Sequence, residues 1–367
     1  MAAGASPPVG DTAVQQRAPL VEAVPNFSEG RDPRVIAAIS EALDGDGAQV
    51  LHVDRNPDAN RTVVTLAGPL PAVTSALFRG MAAAVQSIDM RRQDGAHIRV
   101  GSADVVPLVC LEPDELALSA CVREMAALAG RVGTDLGVPV FLYEKSALRP
   151  AFRSLPRCRR GGYEALAQRF ASGGADGPDL GPDEFTESVA QTGASVLGVR
   201  ELLVALNFTL DSRDEELARG IASAIRSVGP KGRPDRLPGL RAVGWTMPGY
   251  SGRVQVSTNL LDFRRTTAEQ VLDTITRLSP VEVLGAELIG LTPAQMLASA
   301  ARDEPASGAR EERLEQCLDF DAAEDDGLLE AGIARLRLGH LSTDPEDFKA
   351  RVLERCLRSA RLVPAER

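Results

Sequence analysis

The chain has 367 residues, of which 44% are hydrophobic and 25% charged, and its formal net charge is −10 at pH 7. This length and composition predict a globular protein of two domains, and the acidic balance argues against nucleic-acid partners, which need clustered cations. No apolar run reaches the roughly 20 residues of a membrane-spanning helix, so we expect a soluble, cytoplasmic protein without membrane partners.

In the N-terminal half, strand and helix patterns alternate after the first 18 residues. Residues 1–18 are rich in small and polar residues and lack the apolar run of a secretory signal, so they are predicted to form a disordered tail. The pattern that follows is typical of a βαββαβ unit with an added helix and strand. Its predicted elements are a strand at 21–27, a helix from Asp32-Pro33 to 43, strands at 49–53 and 62–66, a helix at 71–86, a strand at 105–111, a helix at 114–130 and a strand at 138–143.

One of the three histidines, His97, lies in a turn that runs into the apolar strand at 105–111. Imidazole is the side chain whose ordinary pKa suits proton transfer near neutral pH, which makes His97 a candidate base. In an extended segment His97, Arg99 and Gly101 share one face, although a hydrogen-bonded structural histidine is the alternative. Asp54, at the end of a strand, either stabilises the following turn or acts beside His97.

Five arginines and no acid occur between Arg149 and Arg160. Such a cluster is either a solvated basic face paired with carboxylates from elsewhere or a clamp for the carboxylates of a ligand. Residues 171–182 are rich in Gly and Pro, which predicts a linker or a binding loop. The cysteines lack metal-ligand spacing, and no metal site is predicted.

The second half repeats the order of elements and ends in a helical tail. Its predicted elements are a strand at 202–210, a helix at 212–228, strands at 241–246 and 252–259, a helix at 267–278, a strand at 281–288 and tail helices at 327–338 and 344–357. The predicted organisation is a disordered tail at 1–18, an N-terminal subdomain at 19–182, a C-terminal subdomain at 183–301 and a helical tail at 302–367.

Several motifs, spread from about residue 20 to about residue 357, resemble the formiminotransferase domain of glutamate formimidoyltransferases. They are Val24-Pro25-Asn26-Phe27-Ser28-Glu29-Gly30, Asn60-Arg61-Thr62-Val63, Ile88-Asp89-Met90-Arg91, His97-Ile98-Arg99-Val100-Gly101 with Asp104-Val105-Val106-Pro107, Arg160-Gly161-Gly162-Tyr163-Glu164-Ala165-Leu166, and Gln255-Val256-Ser257-Thr258-Asn259-Leu260-Leu261-Asp262-Phe263.

The resemblance implies an α/β (α+β) fold of two ferredoxin-like subdomains with a ligand cleft between them, a helical C-terminal tail and a homodimer. It implies transfer of a formimino group from N-formimino-L-glutamate to N5 of tetrahydrofolate, the co-substrate, as in histidine degradation and one-carbon metabolism. His97 and Asp54 match catalytic positions. The residues expected to bind substrate or folate are Asn26, Arg99, Arg160, Gly181, Pro182 and Gly193.

The chain also departs from the family pattern. Ala96 and Ile98 replace the Glu and Pro that usually flank the histidine, and Leu108 replaces an aromatic residue. An alternative is therefore a folate-binding relative with a different one-carbon donor or acceptor, or without catalysis. Because the chain stops where bifunctional relatives begin a cyclodeaminase domain, we expect no cyclodeaminase activity.

Overall fold

The computed structural model describes residues 17–112, 114–229, 233–302, 318–338 and 345–364. Most of the predicted N-terminal tail and parts of the C-terminal tail lie outside these residues. In the described part of the chain, no helix is both long and apolar enough to cross a membrane.

The first sheet has seven strands. From one edge to the other the order is β3, β4, β1 with β2, β5, β7 and β6, where β1 and β2 follow one another along the same position between β4 and β5. Its strands are antiparallel except for β7, which runs parallel to β5 and β6. The strands are β1 (Leu20–Ala23), β2 (Asn26–Phe27), β3 (Gln49–Asn56), β4 (Arg61–Pro69), β5 (Ala103–Cys110), β6 (Val140–Leu142) and β7 (Ser195–Val199).

Three helices cover one face of this sheet, namely α1 (Pro33–Leu43), α2 (Leu70–Ser87) and α3 (Glu115–Asp135). Asp32 caps α1, because its side chain accepts a hydrogen bond from the Arg34 N–H at 2.9 Å and Pro33 occupies the first turn. Side chains alternate along a strand, so Val21 and Ala23 join the core beneath the helices while Glu22 lies on the opposite face.

Residues between β6 and β7 form short helical segments rather than a plain linker. They include α4 (Leu155–Cys158), α5 (Leu166–Ser172) and α6 (Glu187–Thr192), with 3-10 turns at Glu144–Ser146, Pro150–Arg153, Tyr163–Ala165 and Gly174–Asp176. The predicted subdomain boundary after residue 182 is wrong, because it does not separate the two sheets. The strand Ser195–Val199, which follows it, pairs with β5 and β6 of the first sheet. Sheet membership changes between Val199 and Val204 instead.

The second sheet is fully antiparallel, in the order β11, β8, β10 and β9. Its elements in chain order are β8 (Val204–Leu210), α7 (Glu215–Ile225), β9 (Leu240–Met247), β10 (Arg253–Leu260), α8 (Ala268–Leu278) and β11 (Val283–Ile289). The first and last strands of this βαββαβ unit are neighbours, as in the first sheet, which confirms two ferredoxin-like subdomains.

The C-terminal segment is helical and packs on the body of the molecule. Its helices are α9 (Ala294–Arg302), α10 (Phe320–Glu324), α11 (Asp326–Arg335), α12 (Pro345–Lys349) and α13 (Leu353–Ser359). Leu329 and Ile333 join the core of the second sheet, and Leu353 and Leu357 pack with Ala67 of the first. The helix predicted at 344–357 is interrupted, because Val352 pairs with Thr292 as an isolated bridge.

Candidate active site

A cleft of about 200 Å³ lies between the uncovered faces of the two sheets. The first sheet and the loop before β5 contribute Glu22, Asn26, Asp54, Arg61, Thr65 and His97, and the second sheet contributes Arg241, Trp245, Ser257 and Asn259. The cleft therefore brings together three of the residues predicted from the sequence, namely Asn26, Asp54 and His97.

His97 is half-buried in the loop between α2 and β5, where its ring meets Trp245 edge to face with centroids 5.8 Å apart. Its Nδ1 lies 2.6 Å from the Ile98 carbonyl oxygen. Because a carbonyl oxygen only accepts hydrogen bonds, this contact assigns the ring proton to Nδ1 and leaves Nε2 with its lone pair. Nε2 is thus the nitrogen able to take up a proton.

The charge beside His97 is set by a buried cluster of two arginines and one aspartate. Asp104, which is fully buried, accepts from Arg159 Nη2 at 2.7 Å and from Arg61 Nη1, and its other oxygen accepts from the Val100 N–H at 2.8 Å. These ion pairs hold the pKa of Asp104 below its ordinary value although burial opposes ionisation. Two cations against one anion leave the cluster net positive.

The surroundings of His97 disfavour its protonated form. Burial, followed by the nearby positive charges of Arg61 and Arg159, lowers the pKa of His97 to about 3, and Asp104 offsets only part of this. His97 is therefore a neutral imidazole throughout the physiological range.

Asp54 lies at the other side of the cleft, on β3. Its Oδ2 accepts from the Gly290 N–H at 3.1 Å and lies 3.3 Å from Arg351 Nη1 and 3.9 Å from His52 Nε2. Burial alone would raise the pKa of Asp54, but these partners together hold it below its ordinary value. Asp54 is therefore an anion at neutral pH and is suited to hold a cationic group.

Three buried polar atoms from cleft-lining residues have no hydrogen-bond partner among the described residues: Glu22 Oε2, Thr65 Oγ1 and Trp245 Nε1. Buried polar atoms are normally paired, because each unpaired group loses its hydration. Burial raises the pKa of Glu22 to about 7, although Arg200 opposes the shift. The cleft thus presents donors and acceptors from both sheets for a ligand to satisfy.

Five predicted binding residues are not among those that line the cleft. Arg99 bonds Gln93 Oε1 at 2.6 Å and Glu164 Oε1 at 2.5 Å, and Arg160 pairs with Asp176 at 2.6 Å. The others are glycines and a proline: Gly181 packs against Gly133 and Val138, Pro182 follows it, and Gly193 packs against Val100 and Gly101.

The arginine cluster at 149–160 is largely paired with carboxylates of the protein, which is the first of its two interpretations. Arg149 bonds Asp179 at 2.9 Å, Arg157 and Arg160 share Asp176, and Arg159 bonds Asp104. The arginines that line the cleft are others, namely Arg61, Arg200 and Arg241. The sequence analysis did not identify these arginines as cleft residues. Alternation along β4 and β9 was an available signal for two of them, because it places Arg61 on the same face as Val63 and Arg241 on the same face as Trp245.

No group of three or more His, Cys, Asp or Glu side chains arranged to hold a metal occurs in the described part of the chain.

Comparison with known families gives two adjoining matches. Residues 20–200 match the formiminotransferase domain, N-terminal subdomain, and residues 205–307 match the formiminotransferase domain. Both matches together span the two sheets that form the cleft.

Similar curated proteins carry related names. Glutamate formimidoyltransferase of Thermoplasma acidophilum is 35% identical over 77% of this chain and 91% of that protein, and its namesake from Streptococcus pyogenes is 32% identical over 77% and 92%. Formimidoyltransferase-cyclodeaminase of Sus scrofa is 40% identical over 77% of this chain but 52% of its own length. The chain thus spans about half the length of such bifunctional relatives.

Proposed function

The chain belongs to the formiminotransferase family, and from this premise we propose that it transfers the formimino group of N-formimino-L-glutamate to N5 of tetrahydrofolate. The products would be glutamate and 5-formiminotetrahydrofolate. The observation that carries the proposal is that His97 and Asp54, on different segments of the chain, line one cleft between the two matched subdomains.

In the proposed reaction the two side chains have different tasks. Asp54 holds the donor as a cationic amidinium, and N5 of the folate attacks the amidinium carbon. His97 Nε2 takes the proton that N5 loses as the tetrahedral adduct forms, then gives a proton to the glutamate nitrogen as the bond between that nitrogen and the carbon breaks. Protons and charge balance, because the amidinium charge remains on the transferred group. The cleft also supplies proximity of the two substrates.

The low pKa of His97 is compatible with this role once substrates bind. Both substrates carry carboxylates, and negative charge near Arg61 and Arg159 offsets the charges that lower the pKa of His97. Arg200 and Arg241 line the cleft, and we assign them to these carboxylates because the arginines at 149–160 do not line it; Arg241 also bonds Glu144 at 2.9 Å. The predicted contributions of Arg99, Arg160, Gly181, Pro182 and Gly193, the homodimer and the cytoplasmic location stay predictions.

One observation favours the alternative of a folate-binding relative without this catalysis. A pKa of about 3 makes His97 a weak base, and Ala96 and Ile98 occupy the flanking positions where the family usually has Glu and Pro. This alternative predicts folate binding without product from N-formimino-L-glutamate.

The deciding experiment mixes the protein with both substrates, acidifies the mixture and measures the absorbance of the methenyl-folate cation formed from the product. His97→Ala should lower turnover by about 10²- to 10⁴-fold, the usual contribution of a general base, with tetrahydrofolate binding by calorimetry largely kept. Arg219→Ala, on the outer side of α7, is the control and should behave like wild type. Folate binding without product in the wild type would favour the alternative, and full turnover of His97→Ala would remove the role of His97.

A further inference from the structure

The C-terminal segment lies outside both matched family regions, which end at residue 307, and contacts a residue that lines the cleft. The chain at Arg351 to Leu353 lies along the end of β11: the Thr292 N–H donates to the Arg351 carbonyl at 2.9 Å, and the Leu353 N–H donates to the Thr292 carbonyl at 2.9 Å. These two backbone bonds fix the position of the Arg351 side chain against the second subdomain.

From this position Arg351 contacts the carboxylate proposed to hold the substrate cation. Its Nη1 lies 3.3 Å from Asp54 Oδ2 and donates to the Leu288 carbonyl at 2.8 Å. The Gly290 N–H donates to the same Asp54 oxygen at 3.1 Å. Three segments that are distant in sequence thus meet at one carboxylate, whose orientation depends on all of them.

His52 also favours the ionised form of Asp54. Its Nε2 lies 3.9 Å from Asp54 Oδ2, beyond hydrogen-bond range, but it lowers the pKa of Asp54 more than the charge of Arg351 does. Arg351 is the nearer of the two, at 3.3 Å. Glu287 on β11 and Tyr250 also interact electrostatically with Asp54, and a negative charge on Asp54 raises the pKa of each. The positive charge of Arg351 contributes to the lowered pKa of Asp54 and opposes the rise that burial causes in the pKa of Glu287, so this guanidinium favours the ionised form of two carboxylates.

We propose that Arg351 is a positioning residue of the active site, which keeps the Asp54 carboxylate aimed into the cleft and makes the C-terminal segment a functional part of the site. The inference rests on the proposed function, because it concerns the carboxylate that holds the donor cation. Arg351 itself does not touch the reacting atoms; it acts through Asp54.

The test compares Arg351→Ala and Arg351→Lys with the matched control Arg355→Ala. Arg355 lies in the same segment but bonds the Ala323 carbonyl and Asp326, so its loss loosens the tail without removing a partner of Asp54. Arg351→Ala should lower kcat/KM for N-formimino-L-glutamate by about 100-fold, the scale of a displaced catalytic group. Most of that loss should be a rise in KM, and Arg351→Lys should restore part of it because it keeps the charge.

The pH profile separates positioning from mere structural support. Removing the positive charge raises the pKa of Asp54, so the acidic limb of kcat/KM should move to higher pH in Arg351→Ala and stay in place in Arg355→Ala. Equal losses in both alanine variants, or an unmoved acidic limb, would overturn the inference while leaving the proposed function intact. A wild-type protein that binds both substrates without transfer would overturn the proposed function and this inference with it.

Discussion

Asp104 is the residue on which the charge beside His97 depends. It is fully buried between two guanidinium groups. In the described part of the chain, no other carboxylate bonds Arg61 or Arg159. Removing one partner of a buried ion pair leaves the other charges uncompensated in a medium of low dielectric constant, which is more costly than breaking a surface pair.

Asp104→Asn should therefore lower the free energy of unfolding by about 3–5 kcal/mol, measured by denaturant titration at pH 7. The control is Asp176→Asn, whose partners Arg157 and Arg160 have side chains 38% and 54% exposed; this change should cost about 1 kcal/mol or less for each pair. Similar costs for the two variants would show that the charge cluster is not effectively buried. Loss of the Asp104 charge should also lower the pKa of His97 further.

The motifs name candidate site residues, but only the fold shows which of them lie together. Asn26, Asp54 and His97 line one cleft, whereas Arg99 and Arg160, which also lie in motifs, do not. The roles of all five stay predictions. The arginine cluster was open to two interpretations, because its partners Asp176 and Asp179 approach only in the folded chain. Trp245 was missed because its role depends on which face of the second sheet meets the first.

At the scale of elements, a close backbone approach holds the segment that carries His97. Gly193 begins the turn between α6 and β7 with φ of 68°, and a Cβ at this position would meet the Val100 carbonyl oxygen. An isolated bridge joins Gly193 to Gly101. The glycine expected to contact folate therefore has a structural reason to be glycine.

Gly193→Ala should lower the free energy of unfolding by about 1–3 kcal/mol, because the added methyl group forces neighbouring backbone apart. It should also reduce turnover by displacing the segment from His97 to Gly101. Gly130→Ala is the matched control: Gly130 lies within α3, and a Cβ there meets nothing within 4 Å, so this variant should gain about 1 kcal/mol from helix propensity. A stable and active Gly193→Ala protein would contradict the close approach.

Element boundaries were predictable where local chemistry sets them. The start of α1 follows from Asp32-Pro33, and the βαββαβ order of both halves follows from periodicity. The short helical segments after β6, and the strand Ser195–Val199, were not predicted because their burial comes from neighbouring elements. The tail helix predicted at 344–357 is broken by the bridge from Val352 to Thr292, a tertiary contact that no local pattern indicates.

At the scale of the whole molecule, Glu22 links folding stability to pH. Its pKa is raised from 4.5 to about 7 in the folded protein. Between these values the folded state keeps a proton that the unfolded state releases, so the free energy of unfolding falls as pH rises through this window. His97, whose pKa is lowered from 6.5 to about 3, acts in the opposite direction.

The substitution Glu22→Gln isolates the contribution of Glu22 to the pH dependence of stability, because the variant and the wild type both retain His97. The variant should match the wild type near pH 4 and become more stable above pH 7 by up to about 3 kcal/mol, since the amide cannot ionise in the buried site. Denaturant titrations of both proteins from pH 4 to 8 measure the difference. A difference that does not vary with pH would contradict the raised pKa of Glu22.

The contact between Arg351 and Asp54 joins residues 297 positions apart in the chain, and this separation has a consequence for synthesis. Both sheets precede Arg351 in sequence and each has its own core, so they are expected to fold first as the chain leaves the ribosome. Asp54 is therefore synthesised 297 residues before its partner Arg351. A nascent chain should therefore hold two folded sheets before it holds a complete cleft, and should bind the cationic donor tightly only after residue 351 has emerged.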